Sequence, residues 1–321
     1  MKTIAYLLLF ACNAAIAFPT MLTYGYKSCT TCHVSQTGGG ILTPYGKGAA
    51  RDILSEYDSV PQIPLPEWLS IGGDLRVLQT RLATKGYTNK KFTLMQADLE
   101  VAVGDEKIKA VGSVGYQNPA TQAYSGTDIF SRRHFLQYTP SPNVSIQLGR
   151  NSQGYGLNWP DHWLIQKAAL GFGEGTEAYQ IRIGVIGQEY EASAYLTKEK
   201  ALGTRLLLNS SNYQIGFNTY TAGQRFTAGP ELNVAISQLS IFANLDADFP
   251  ATGPAIFYRT VRFNYELQRG IHLWAVHEST TDRILAHTFG VNLYPAVHLE
   301  ISAAIQFSQI QVGWLMGHLY L

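Results

Sequence analysis

Val297-His298-Leu299-Glu300-Ile301-Ser302-Ala303-Ala304-Ile305-Gln306-Phe307-Ser308 is the stretch whose reading decides the fold. Val297, Leu299, Ile301, Ala303, Ile305 and Phe307 are apolar, and His298, Glu300, Ser302, Gln306 and Ser308 between them are polar. A period of two belongs to a β-strand, whose successive side chains point to opposite faces. Residues 92–103 repeat the pattern, with Met95, Ala97, Leu99, Val101 and Val103 against Gln96, Asp98 and Glu100. Ile108, Ala110, Gly112, Val114 and Tyr116 follow it too, as do Tyr190, Ala192, Ala194 and Leu196. No helical periodicity of any length intervenes. Apolar-out, polar-in segments of about ten residues are the pattern of transmembrane β-barrel strands.

Working outward from that stretch, sixteen such segments can be counted between residues 70 and 321. Gly229-Pro230 interrupts the alternation and keeps a count of fourteen open. Tight connections at Asp105-Glu106, Pro140 to Asn143, Gly187-Gln188, Asn209 to Ser211, Gln268 to Gly270 and Tyr294 to Ala296 fall at every second junction. The connections between them, at 86–90, 119–128, 158–173, 249–254 and 279–282, are mostly longer. An even-stranded bacterial barrel shows this parity, with short periplasmic turns and longer extracellular loops. Arg259 falls on the face assigned to lipid. The last segment alternates down to Leu321 and turns Trp314, Met316, His318 and Tyr320 inward. The expected fold is all-β, a transmembrane antiparallel barrel in the bacterial outer membrane.

Composition agrees. The 321 residues are 46% hydrophobic and 15% charged, with 30 Gly and 19 Tyr. There is no apolar run of 18 residues after the N-terminus, which excludes a helical membrane protein. Met1-Lys2-Thr3, an apolar core from Ile4 to Phe10, and Ala15-Ile16-Ala17 read as a secretory signal over residues 1–17, with Phe18 as the first mature residue. Cys12 leaves a lipoprotein reading open, although Phe10 suits a lipobox poorly. Removal of 1–17 takes away Lys2 alone, leaving 24 − 1 = 23 basic against 23 acidic residues. A neutral chain offers no polybasic surface, so lipid is an expected partner and nucleic acid is not.

Residues 18–67 precede the barrel of 68–321 and are too few to build a core of their own. They contain Ser28-Cys29-Thr30-Thr31-Cys32-His33, a C-x-x-C-H sequence. Two thiols three residues apart reach the two vinyl groups on one porphyrin edge, and the next residue comes under the ring. The motif predicts one covalent haem c, attached at Cys29 and Cys32 with His33 as proximal iron ligand. Half of a structural zinc site, a plain disulfide or a thioredoxin-type redox pair are the rival readings. The first lacks a second Cys pair in the chain, and the last would open a helix in a βαβ unit that is absent. Thr37-Gly38-Gly39-Gly40 is either a close backbone pass against a flat ligand or a flexible linker, Asp52 to Tyr57 suggests a short helix, and Val60 to Pro66 a stiff tether. For the distal iron ligand the inward candidates near the periplasmic mouth are His272, His298, Met316 and His318; Met95 falls on the lipid set and Met21 lies upstream. No catalytic residues are assigned. Asp161-His162, the only hint of a haem enzyme, has no visible partner.

An exported chain with one C-x-x-C-H near its mature N-terminus, a short Gly-rich segment and about sixteen strands resembles the fused monohaem cytochrome-porins of the bacterial outer membrane. The resemblance covers the whole chain as an architecture and Cys29, Cys32 and His33 as residues. It implies electron transfer across the outer membrane between an extracellular donor or acceptor and a periplasmic carrier. Because the best-known members oxidise ferrous iron, an extracellular iron oxidase activity is implied as well. A diffusion porin whose haem segment caps or senses is the alternative.

Overall fold

A side chain alternation of two can be satisfied in a membrane only if every strand finds a neighbour on both sides, because an open edge would leave N–H and C=O groups unpaired in hydrocarbon. The chain meets that demand by closing on itself. In a computed structural model, residues 16–17, 21–55, 65–84, 87–116, 129–156, 164–173, 175–281, 285–308 and 310–320 are described. Sixteen antiparallel strands form one closed barrel. They are β1 (Leu69–Thr84), β2 (Tyr87–Gly104), β3 (Ile108–Tyr116), β4 (Ile129–Phe130 continued by His134–Ser141), β5 (Val144–Asn151), β6 (Ala178–Ile186), β7 (Tyr190–Thr197) and β8 (Leu202–Asn209). The second half comprises β9 (Tyr213–Ala222), β10 (Arg225–Ile236), β11 (Leu239–Phe249), β12 (Ile256–Gln268), β13 (Ile271–Thr280), β14 (Leu285–Ala296), β15 (Leu299–Phe307) and β16 (Gln311–Tyr320). The seam pairs β16 with β1, from Gln311 opposite Ala83 to Tyr320 opposite Asp74.

Turn length sorts by end. At one rim every connection is three residues or fewer, whereas the opposite rim carries the long excursion between Asn151 and Ala178. Leu99, Leu136, Leu148, Ile181, Leu206 and Leu315 are exposed on the outer face. Each would gain about 1.5–3 kcal/mol on leaving water, so the barrel spans a membrane. Part of the tyrosine content is explained by position. Tyr138, Tyr190, Tyr213 and Tyr265 are exposed near the tight-turn rim, while Tyr87, Tyr116, Tyr179 and Phe257 are exposed toward the other. Two such aromatic girdles flank the apolar band of outer-membrane barrels, which is about 25 Å tall. Arg259 is exposed three residues in from the loop-side end of β12, level with an interface rather than mid-membrane.

Four expectations need correction. Met95 is not part of a regular lipid-facing row: Arg76 pairs with Gln96 but Val77 pairs with Leu94, so Met95 is the extra residue of a bulge. The bulge reverses parity above it, burying Thr93 and turning Phe92 outward. Val297 and His298 are turn rather than strand; Val297 is buried, and His298 adopts φ +70°. Gly229-Pro230 does not break the barrel into fourteen strands. Its only cost is a gap in the β10–β11 ladder, where Ala228 pairs with Ala247 and Glu231 with Asn244. Finally, the short helix lies earlier than read, at α1 (Pro44–Leu54): Thr43 caps it by accepting the Gly46 N–H at 3.0 Å, and Pro44 opens it. Gly46 and Gly48 lie within it.

Two segments occupy the lumen. Residues 21–55 line it from the tight-turn rim, and from the other side the excursion after β5, expected as an external loop, folds inward as far as α2 (Ile165–Leu170). They meet where the Thr37 and Ser152 hydroxyls lie 3.0 Å apart and Asn151 donates to Ser35 at 3.1 Å. Ile16–Ala17, read as the end of the signal, pair in parallel with Gly25–Tyr26; residues 1–15, Phe18, Asp161, His162 and Leu321 lie outside the described residues.

Candidate functional site

Ser28 builds the turn that carries the two cysteines. Extended itself, it accepts the Thr30 N–H at 3.3 Å and starts a 3₁₀ turn over Cys29–Thr31. Cys32 and His33 both donate their N–H to the Cys29 carbonyl, at 3.2 and 2.9 Å. Side chains three apart in such a turn eclipse, so the two thiols share a side. Both are free. Beyond His33 the chain folds back: Val34 donates to Ile41 at 3.0 Å and Thr43 to Cys32 at 2.8 Å. The reversal is made by Gly38, Gly39 and Gly40, with φ of 70°, 68° and 65°, a left-handed run open to glycine and costly to any other residue. A Cβ on Gly38 would stand 3.3 Å from Cys29 Sγ, and one on Gly40 would overlap Arg133 and Glu100 of the wall. Neither a bare linker nor a free loop fits these glycines. Gly46 has a similar duty, since a side chain there would strike the Cys32 carbonyl.

The wall holds this segment from nearly every side. Glu100 accepts the Ile41 N–H at 3.0 Å and Arg133 at 3.3 Å. Lys47 Nζ donates to the Ile71 carbonyl at 2.8 Å, Gln214 to that of Lys27 at 3.1 Å, and Arg269 to that of Arg51 at 3.0 Å. Tyr24 donates to Glu266. Val34 and Ile41 pack with Ala102, Val111 and Phe135, while Leu22 packs on Ala235 across the lumen. Apart from Arg133 and Phe135, near the middle of β4, these wall residues lie in the halves of their strands toward the tight-turn rim or in the turns beyond.

Burial sets the chemistry of the three motif residues. It pushes the Cys29 thiol up to about 12, the Glu191 charge adding to the effect, and it raises Cys32 as well. Redox C-x-x-C pairs need the opposite shift, so that reading loses support. Burial, followed by the Arg133 charge, lowers His33 to about 4 and leaves it a neutral imidazole, the form that binds a metal. Its Nδ1 is buried without a hydrogen-bond partner. Beside Cys29 lies a cavity of about 30 Å³ lined in part by Thr30, Gln36, Arg182, Glu191 and Arg205. Two free thiols three residues apart in one turn, followed by a buried neutral imidazole whose Nδ1 is unpartnered, are the donor set of a covalent haem, although backbone groups of Gly39 and Gly40 also engage the His33 ring. The cavity adjoins Cys29 rather than His33, which faces the Asp74–Arg133 side.

None of the four distal candidates makes a hydrogen bond or ring contact with His33. His318 has both ring nitrogens taken, Nε2 by Asp74 at 2.6 Å and Nδ1 by Glu300 at 3.2 Å. It does share the Asp74 neighbourhood with His33. His272 is buried against Tyr294 with its Nε2 unpartnered. His298 sits in its turn with its ring 5.5 Å from Tyr320, and Met316 lies in register between Ser302 and Leu78. The wall charges that meet residues 21–55, Asp74, Glu100 and Arg133, were not singled out from sequence. Their signal was a charged side chain at an inward strand position.

From the far side the inserted excursion makes its own node. Asp246 accepts from Tyr155 Oη at 2.7 Å, from Asn244 at 2.5 Å and from Gln166, while the Gln166 N–H goes to Glu278 at 3.2 Å. Tyr155 stacks on Phe172 at 4.4 Å, and Phe172 meets Tyr220 edge-on at 4.9 Å.

No protein-family model matches the chain, and no curated protein matches it. Solved structures do. A loop-deletion mutant of OmpT, an outer membrane protein of Vibrio cholerae, aligns over 79% of this chain and 99% of its own, with a TM-score of 0.62 at 11% identity. A mutant of Rh. blastica porin aligns over 79% and 100%, with a TM-score of 0.62 at 11% identity. Salmonella typhi OmpF, in complex with daunomycin, aligns over 79% and 97%, with a TM-score of 0.59 at 9% identity. The fold is therefore that of a porin-like barrel.

Proposed function

We propose that this porin-like barrel of the bacterial outer membrane is an electron-transfer protein, in which one haem c held by Cys29, Cys32 and His33 links an extracellular donor or acceptor to a periplasmic carrier. The observation that supports the reading is where the Cys29–His33 turn sits: inside the wall, with the residues on either side of it, Lys27 and Ile41, bonded to strands of the barrel. The haem supplies reversible one-electron exchange at its iron. The chain supplies the rest. Cys29 and Cys32 fix one edge of the ring, the neutral imidazole of His33 is ready to ligate, and the segment 21–55 together with the inserted excursion fills the lumen. Short turns conventionally face the periplasm, which puts residues 21–55 at that mouth. The resemblance to the cytochrome-porins makes extracellular ferrous iron the first donor to test, giving up one electron as it becomes ferric.

A second reading, a diffusion porin capped by the haem segment, is favoured by the porin folds the barrel resembles. A pair of measurements separates the two. Haem reduction is followed in oriented vesicles with a reductant confined to the outer side, and conductance is compared between the intact protein and one lacking residues 18–67. Reduction from outside with low conductance supports electron transfer. A haem answering only to periplasmic reagents, in a protein that conducts as freely as the deletion, establishes the capped porin.

A further inference from the structure

The chain is close to neutral as a whole, yet one hairpin is not. Residues 77–96 carry Arg81, Lys85, Lys90 and Lys91 and contain no Asp or Glu. Those described belong to β1 and β2, which at 16 and 18 residues are the longest strands of the barrel. Arg81 and Lys90 are register partners and both are exposed. They stand on the outer face, two residues beyond Gln79 and Phe92, a pair whose phenyl ring is 67% exposed toward the membrane. On the other side of Arg81 its partner in β16 is Gly313, which brings no charge. Like charges directly opposite on one face of a sheet repel and destabilise the pair; an anion between them turns that repulsion into attraction.

Height decides which surface supplies the anion. Arg81 stands 12 residues up β1 from Leu69, and Lys90 stands 14 residues up β2 from Gly104. At about 3.3 Å per residue and a tilt of about 40°, the pair lies about 30–35 Å above the tight-turn rim, whereas the apolar band of such barrels is about 25 Å tall. With the short turns in the periplasm, that is the headgroup level of the outer leaflet. Below it the same strands offer something different. Gly73 and Ala97 take outward positions with almost no side chain, and Leu75, Leu99, Tyr116 and Leu319 stand around them, leaving an apolar groove of about 450 Å³. Leu75 is six residues below Arg81, about 15 Å in height. A cationic pair above and an apolar groove beneath it match the two ends of one amphiphile.

We propose that the outer face of β1 and β2 is the docking site of a phosphate-bearing lipid of the outer leaflet, with its phosphate between Arg81 and Lys90 and an acyl chain in the groove over Gly73 and Ala97. Arg81 offers a planar fork to the phosphate oxygens and Lys90 a point charge. The pair alone would suit any phosphate; the groove beneath it selects the lipid. Docked there, the lipid braces the tallest hairpin of the barrel beside the strand that closes the ring, β16. Nothing in this inference depends on haem, since both cations face away from the lumen.

The test uses the full-length protein, delipidated in detergent: wild type, the double variant Arg81→Gln with Lys90→Gln, and Ala97→Leu, each first shown to keep its fast-migrating unheated form. Lipid A, a glycolipid that carries phosphates, is titrated in, and bound lipid is counted by native mass spectrometry. A Lys or Arg at an anionic lipid surface is worth about fivefold in binding, so the double variant should bind lipid A about 30-fold more weakly than wild type. Ala97→Leu fills the groove without touching the charges and should weaken binding several-fold. Added salt should weaken wild-type binding, a readout that serves if the double variant does not fold. Inorganic phosphate in excess should not displace the lipid. Equal binding by wild type and the double variant, wild-type binding indifferent to salt, or no binding at all overturns the site. Displacement by inorganic phosphate, or binding untouched by Ala97→Leu, overturns the lipid as occupant and leaves a diffusing anion in its place.

Discussion

The lumen is entered from both ends, and the two segments inside it are held differently. Residues 21–55 bond to β1, β2, β5, β9 and β12 and to the turn after β12, most often to or from backbone groups. The far part of the excursion after β5 bonds to one side of the wall, from β9 to β13: Asp246 takes Tyr155 and Gln166, Asn218 and Glu278 take the N–H groups of Gly156 and Gln166, and Leu164 packs on Phe242 and Trp274. Attachment around the whole ring fixes the position of what is attached. Attachment to one side leaves the other free and leans most on the carboxylate with the most partners, Asp246.

The strongest test of that contrast removes the chemistry and leaves the scaffold. Cys29→Ala or Cys32→Ala should abolish covalent haem completely, as judged by haem staining after denaturing electrophoresis, while the barrel still migrates faster unheated than boiled. Staining that survives either change would refute attachment at this motif. Next in size is deletion of residues 18–67, which should raise single-channel conductance well above that of the intact protein because the wall closes without them; unchanged conductance would mean that the excursion alone seals the pore. Asp246→Leu attacks the other filling. It leaves Tyr155, Gln166 and Asn244 without their acceptor, each at about 1–3 kcal/mol, and should lower the temperature at which the fast-migrating form is lost, with haem content unaltered. Loss of haem in that variant would show that the two fillings are not independent. The smallest effect is expected from Gly40→Ala. A left-handed φ costs an L-residue about 1–2 kcal/mol, and displacement of Arg133 and Glu100 adds to it. The haem spectrum should change before its content does, and an unaltered spectrum would show that the 37–40 loop does not touch the haem environment.

Sequence and structure agree best where one side chain direction decides the matter. The wall was legible because burial in lipid and in the lumen are different solvents, so each strand residue records its own orientation. Ile301 and Ser302 say as much about the fold as any motif. Where direction alone is silent, the reading went astray. Met95 looks like its neighbours, because a bulge adds a residue without changing composition. Asn158 to Gly173 carries the marks of an exposed loop and Tyr155 those of a strand end, and nothing local reveals that Tyr155 and Gln166 are to meet Asp246 far along the chain. The spacing of Cys29, Cys32 and His33 stands out in the sequence, whereas Asp74, Glu100 and Arg133 acquire meaning only when the topology brings them to the segment they face. Glycine was the most ambiguous letter: Gly38 to Gly40 make a left-handed turn, while Gly46 and Gly48 lie within a helix.

The seam between β16 and β1 imposes an order of events on biogenesis. Until Gln311 to Tyr320 zip onto β1, the hoop is open along its side and its lumen communicates with whatever lies beside it. Once the zip is complete, the only entrances are the two mouths, one rimmed by tight turns and the other obstructed by the excursion. Residues 21–55 grip strands around the ring and carry a helix about 10–12 Å across. On the haem reading proposed above, Cys29 and Cys32 would take up their cofactor in the periplasm before the last strand docks. Gln311 to Tyr320 would then act as a clasp, fastened around a segment already loaded.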